Sequence, residues 1–521
     1  MIVQSAALER PPGRALRRAP RPWLVLGCVG VLVAAAAQRD FGPEGFWVPW
    51  KALLLALLLL APSLGLALFP PPSSRRPTGA VPVLALLGVI HALYYALPVL
   101  FADRVVGMLI EPQIPALERA LDLCLLGVLG FAFGQALAGL VGSPVAAPVG
   151  PGPGRSDQSH RAPARHDPRS HPGVPDWDVQ RARALMFLCL PSGLVAELCL
   201  RSGLVPGLLV QPAKLLALLL QVGLGLAVLL WRRGELPRRT AWPLLVAGVP
   251  LFLLASLSEG AIGAAVKGGS FLLALVWATG GRVPLLGLLL AGACALILRG
   301  GAMEFRSLSK QHPHLVAEGG LERAATFVRL SVEEFERDGG RRSLETILDR
   351  LSQIALFGHV VNTTPLAVPY WGGSSYVSLP QSLVPRALWP DKPVKDLGQR
   401  FAHRYAIIDS EDRTTSINFP QLIEMYCNFG ATGVFCGMVG FGLLCRILIR
   451  RLYAAGIKPV AALLGALWLG SLTNVESDVS LVLGGMLQQL VVIGPLLLWI
   501  RGQQPKLNRA RLHSWQPEAL T

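Results

Sequence analysis

Long runs of uninterrupted apolar residues, broken by short Arg-, Pro- and Gly-rich segments, fill most of this chain. A run such as "ALLLALLLLAPSLGLALF" (52–69) is long enough to cross a hydrocarbon core about 30 Å thick. The pattern predicts twelve membrane-crossing helices, over 23–38, 52–69, 81–101, 120–141, 184–200, 213–231, 241–257, 261–279, 283–298, 431–449, 459–473 and 479–500. The expected fold is therefore an all-α polytopic membrane protein with a large, mainly helical external loop before the last three spans. The chain divides into spans one to four (1–141), a linker (142–183), spans five to nine (184–298), the loop (299–430), spans ten to twelve (431–500) and a tail (501–521).

Composition agrees: 52% of the 521 residues are hydrophobic and 15% are charged. The net charge of +16 would suggest nucleic acid in a soluble chain. Here the arginines crowd one alternate set of loops, including Arg10–Arg21, Arg75 and Arg76, Arg232–Arg239 and Arg446–Lys458. The positive-inside rule makes that set cytoplasmic, with both termini, so no nucleic-acid role is expected. The Arg-rich start, first apolar run and "AAAAQ" also resemble a cleavable signal peptide, though retention is expected. The Pro-, Gly- and Arg-rich linker reads as disordered. The cysteines lie in or beside apolar runs without a CxxC pattern, and neither a disulfide framework nor a metal site is expected.

The 299–430 loop has structure of its own. "SLETILDRLSQI" puts Leu344, Ile347, Leu348, Leu351 and Ile354 on one helical stripe, with Ser343 as N-cap. "SVEE" fits a capping box with Ser331 as cap and Glu334 reaching back. Gly372 and Gly373 interrupt helix in "PYWGGSSY", where aromatic and hydroxyl groups suit either sugar stacking or anchoring at the membrane interface. Trp371 and Trp389 carry both readings. Arg386, Lys392, Lys395, Arg400, Arg404 and Arg413 gain nothing from the topology rule on an external face. They suit an anionic lipid pyrophosphate, or a solvated or headgroup-touching surface. Glu424 lies where the chain re-enters the membrane, where a carboxylate needs a partner or a purpose. Glu197, Glu259, Glu476 and Asp478, with His91, Tyr94 and Tyr95, are candidates to line an outward-facing polar cavity.

The run "TPLAVPYWGGSSY…LVPRALWPDKP…INFPQLIEMYCNFGATGVFCGMVGFG" resembles the bacterial O-antigen polymerase (Wzy-like) family of oligosaccharide repeat-unit polymerases. Pro385, Arg386, Trp389, Pro390, Lys392 and Pro393 match one element of that family. Glu424, Tyr426, Asn428, Phe429, Gly430 and Gly433 match a second. The likeness covers roughly 350–442, and the earlier spans match in hydropathy alone. It implies a GT-C-like glycosyltransferase of the bacterial plasma membrane that needs no cofactor or metal. Such an enzyme would transfer an undecaprenyl-pyrophosphate-linked glycan onto another lipid-linked repeat unit at the outer face. The bilayer, a chain-length regulator and a repeat-unit flippase would be its partners. On that footing Arg386, aided by Lys392, Arg400 and Arg350, is the expected pyrophosphate ligand. Glu424 is expected to activate the acceptor, with His359 and Asp391 next in line. Tyr370, Trp371, Tyr376, Trp389, Tyr426 and Asn428 are expected to contact substrate. The rival readings are an O-antigen ligase, a GT-C enzyme using a lipid monophosphate sugar, a transporter or flippase, and an assembly scaffold.

Overall fold

The computed structural model describes residues 22–68, 81–141 except 103, 108 and 109, 177–257 except 202, 203, 207 and 208, 262–279, 320–339, 351–383, 396–453 and 458–501. Residues 297, 305, 308, 347, 389 and 391–393 are also described. Among them the protein is helical, without strands. The principal helices are α1 (Pro22–Gln38), α2 (Val48–Leu68), α3 (Val83–Tyr95), α4 (Ile114–Val141), α5 (Val179–Arg201), α6 (Val210–Arg232), α7 (Arg238–Leu257) and α8 (Ile262–Ala278). They continue with α9 (Gly320–Asp338), α10 (Gln353–Thr363), α11 (Leu397–Arg404), α12 (Gln421–Leu448), α13 (Pro459–Leu472) and α14 (Val479–Ile500).

Six described helices are long and apolar enough to cross a membrane; Pro22–Gln38, Val83–Tyr95, Gly268–Ala278 and Pro459–Leu472 are apolar but shorter. The expected span 283–298 lies outside the described residues apart from Ile297, as do the 142–176 part of the linker and the basic N-terminal segment. The span expected over 81–101 is broken at Ala96 (φ −113°) and resumes as a short helix at Leu97–Phe101. Pro98 explains the break, since it supplies no N–H and its ring crowds the carbonyl four residues earlier. α12 starts at Gln421, ahead of the expected span start at 431.

Contacts between helix ends sort the bundle into two faces. On one, Asp178 N donates to the Ile500 carbonyl (2.8 Å), Arg232 reaches Thr279 Oγ1 (3.3 Å), and Arg450 reaches the Ala138 carbonyl (3.1 Å). On the other, Lys51 bridges Glu118 and Asp122 (2.8 and 2.7 Å), Tyr94 donates to Glu476 (2.6 Å), and Ser378 meets Ser480 (2.8 Å). Trp23, Trp242, Trp277 and Trp499 are exposed around the first face, and Trp47, Trp50 and Trp389 at the second. Tryptophan at both ends of an apolar bundle is the pattern of a membrane-embedded protein.

α4 and α12 pack closely along their length. A Cβ on Gly134 would collide with the Val439 carbonyl oxygen, and one on Gly442 with the Phe131 carbonyl. Small residues let helix backbones approach where no hydrophobic effect drives them together. Gly134→Val is expected to pry this pair apart and cost about 1–3 kcal/mol, read as a lower unfolding temperature in detergent. An unchanged temperature would contradict the packing.

Two local expectations are corrected. Ser331 and Glu334 lie inside α9 rather than at its start. Ser331 Oγ donates back to the Phe327 carbonyl (2.7 Å), and Glu334 pairs with Arg337 (2.7 Å), both ordinary mid-helix interactions. The single stripe through Leu351 and Ile354 is interrupted at Ser352 (φ −75°, ψ 61°). There Gly107 approaches so closely that a side chain on it would strike the Ser352 carbonyl. Leu344, Leu348 and Ser343 lie outside the described residues.

Candidate functional site

The face opposite the Arg-rich short loops is organised by the start of α12. Its helix is interrupted at Phe429 (φ −142°, ψ 18°) and Gly430 (φ 61°, ψ −146°), the latter in a backbone region that glycine enters freely. The interruption leaves carbonyls for other donors. Trp371 N bonds the Cys427 carbonyl (2.9 Å) and Gly372 N the Asn428 carbonyl (3.3 Å). Asn428 completes the join: its Oδ1 accepts from Gly373 N (2.9 Å), and its Nδ2 donates to Ser375 Oγ and the Glu424 carbonyl (both 2.8 Å).

Glu424 stands one turn before Asn428 and is fully buried. Ser375 Oγ donates to its Oε1 (2.6 Å) and the Val479 amide to its Oε2 (2.7 Å). Val479 begins α14, so the carboxylate also meets the positive end of that helix dipole. A buried carboxylate is tolerated only when such donors replace water. Glu424 thereby ties together α12, the 371–378 segment and α14, and its carboxylate is enclosed rather than presented to a substrate.

Around it the aromatic candidates take different roles. Tyr426 donates to the Thr364 carbonyl (3.1 Å), and Tyr405 bonds Thr364 Oγ1 (2.7 Å) and Cys427 Sγ (3.2 Å). His359 Nε2 donates to the Tyr405 carbonyl (2.9 Å), which fixes its ring against α11. Tyr376 stacks on Phe429 at 6.4 Å, and burial raises its phenol pKa. Tyr370 is half-exposed beside Tyr426, and Trp389 is exposed. Trp371 is buried and offers neither an open sugar platform nor an interface anchor. Its ring lies against Phe419, with the Arg404 and Arg400 guanidinium carbons 5.0 and 5.7 Å from its centroid. Arg386 and Arg350 lie outside the described residues, as does Lys395. Lys392 and Asp391 sit in the turn after Trp389, where Lys392 N bonds the Trp389 carbonyl (3.1 Å).

Over Trp371 opens a groove of about 590 Å³, lined by Arg400, His403, Arg404 and Arg413 with Ser410 and Ala406. α11 brings Arg400, His403 and Arg404 onto one side at i, i+3 and i+4. The helix then stops through two bonds, Ala406 N to the His403 carbonyl (3.1 Å) and Ile407 N to the Ala402 carbonyl (2.8 Å). This is a Schellman ending with alanine (φ 51°) where glycine is usual, a small strain at the groove edge. Arg404 is steadied by the Pro369 carbonyl (2.8 Å). Neighbouring acids are turned into their own loop. Asp409 accepts from Glu411 N (3.1 Å), and Asp412 from Thr414 and Thr415 amides (2.8 and 2.9 Å). The Thr415 and Thr414 hydrogen bonds hold the Asp412 carboxyl well below the usual carboxylate range. No carboxylate lines the groove among the described residues, so it presents positive charge.

The expected polar cavity around His91 is instead apolar. A cavity of about 130 Å³ places His91 and Tyr95 among Leu55, Leu87, Leu422 and Phe441. Glu476 is held by Tyr94 and Asn418, Asp478 caps α14 through Leu481 N (2.9 Å), and Glu259 lies outside the described residues. The sequence points to Arg400 in the groove but does not set Arg404 and Arg413 apart from the other basic residues of the loop, and it does not mark His403. The signal that would have grouped three of them is the Arg400–His403–Arg404 spacing. Ser375 carried no sequence signal beyond its place in "GGSSY".

A family model described as a domain of unknown function (DUF8712) matches residues 304–455, a span that holds the groove, Glu424 and all of α12 but not Val479. Neither a curated protein nor a solved structure matches the chain.

Proposed function

We propose that this protein polymerises lipid-linked oligosaccharide repeat units at the outer face of the bacterial plasma membrane, moving an undecaprenyl-pyrophosphate-linked glycan onto a second repeat unit. The observation that carries the reading is the basic groove over Trp371. Positive-inside topology accounts for arginines on the opposite face and gives no reason for Arg400, Arg404 and Arg413 here. The resemblance over 350–442, the helical bundle and its tryptophan belts support the same reading. With it go the twelve spans, the GT-C-like class, cytoplasmic termini, and a flippase and chain-length regulator as partners.

In this proposal the acceptor hydroxyl oxygen forms a bond to the donor's anomeric carbon while the carbon–oxygen bond to pyrophosphate breaks. The electron pair leaves with the pyrophosphate, whose growing charge the groove guanidiniums stabilise, and the acceptor hydroxyl's proton passes to the departing pyrophosphate oxygen or to water. Arg386, in the same loop, remains a candidate for the same anion. Glu424 acts as a positioning residue that holds the junction under the site, and half-exposed Tyr370 and exposed Trp389 offer rings to sugars.

The test uses purified protein in proteoliposomes with polyprenyl-pyrophosphate-linked repeat unit as its sole substrate. A ladder of lengthening lipid-linked glycan, with polyprenyl pyrophosphate released, is expected. Transfer only to an added lipid A core would instead make it a ligase.

A further inference from the structure

A second hollow, of about 330 Å³, lies on the other face of the bundle, between the start of α13 and the end of α14. Its walls are apolar: Val460 and Ala461 from α13, and Leu490, Gly494 and Leu497 from α14. On α14 these residues and Arg501 recur at i, i+4, i+7 and i+11, one continuous stripe that ends in a cation. Lys458, just before α13, is the second cation at the hollow, and both are exposed. The first turn of α13 adds the positive end of its helix dipole. Gly494 leaves room in the wall, since a Cβ there would meet only Leu490, at 3.7 Å. Exposed Trp499 marks this level as the bilayer interface.

We propose that this hollow binds one anionic phospholipid, its phosphate between Lys458 and Arg501 and an acyl chain along the Leu490–Gly494–Leu497 stripe. Two cations above an apolar slot at the ends of membrane helices complement an anionic headgroup carrying a hydrocarbon tail. The inference needs the bilayer but is independent of the polymerase reading.

The experiment uses full-length protein, delipidated in detergent, with dioleoyl phosphatidylglycerol, dioleoyl phosphatidylcholine or inorganic phosphate added. The readouts are apparent unfolding temperature and lipids retained per protein by native mass spectrometry. Phosphatidylglycerol is expected to raise the temperature by several degrees with one lipid retained, while phosphatidylcholine and phosphate leave it unchanged. Lys458→Gln with Arg501→Gln should weaken the phosphatidylglycerol effect about tenfold or more. Gly494→Phe should abolish it with both charges present. Equal protection by phosphatidylcholine, protection by phosphate alone, or full binding by both variants would overturn the site.

Discussion

Glu424→Ala is expected to remove the folded protein from the membrane, not merely its activity. The wild-type carboxylate accepts from Ser375 Oγ and the Val479 amide in a fully buried setting. Alanine leaves both donors without that acceptor at the meeting point of three segments. An unmade buried hydrogen bond costs about 1–3 kcal/mol, so the pair together loses about 2–6 kcal/mol. That is comparable with the whole stability of many domains. Glu424→Gln keeps one carbonyl acceptor and should fall between wild type and alanine. Membrane abundance and unfolding temperature in detergent would check this. Normal abundance of Glu424→Ala with glycan assembly lost would return the residue to the chemistry.

Arg404→Ala should have the opposite signature, with the protein present and the product missing. Arg404 is exposed, so its contact with Trp371 contributes only about 0.5–1 kcal/mol to stability. Its proposed value lies in the charge that develops on the departing pyrophosphate. Loss of one such donor typically costs about 3–4 kcal/mol of transition-state stabilisation, or 10²–10³-fold in rate. Lysine keeps the charge but loses the planar fork and the stacking, so Arg404→Lys should recover only part of the activity. Arg400→Ala and Arg413→Ala are expected to act in the same direction, and the triple variant to fall to background. Initial rates of ladder formation in proteoliposomes, set against protein amount, would measure these losses. Parallel falls in rate and abundance would make the arginines structural.

The helices were legible because apolar runs in lipid have few alternatives: every backbone N–H and C=O must be satisfied within the segment. What hydropathy could not show was where runs break. Ala96 and Ser352 interrupt expected stretches for local reasons, a proline ring at one and a close backbone neighbour at the other. At the site, the glutamate, asparagine and glycine of "EMYCNFG" were visible as a group, but not the way they work together. Their join depends on Ser375 and Val479, which lie 49 and 55 residues away in sequence. Trp371 looked like a free aromatic because sequence does not reveal that two arginines from α11 lie over its ring. The capping-box spacing at Ser331 fitted an N-terminus equally well whether or not the helix had already begun.

The most direct measurement is a gel of lipid-linked and surface glycans from a deletion strain carrying wild-type protein or the Arg400→Ala, Arg404→Ala, Arg413→Ala triple variant, with membrane levels matched by immunoblot. Deletion is expected to leave glycan of a single repeat unit; wild type restores the ladder, and the triple variant does not. A ladder unchanged by deletion, or fully restored by the triple variant, would contradict the polymerase reading.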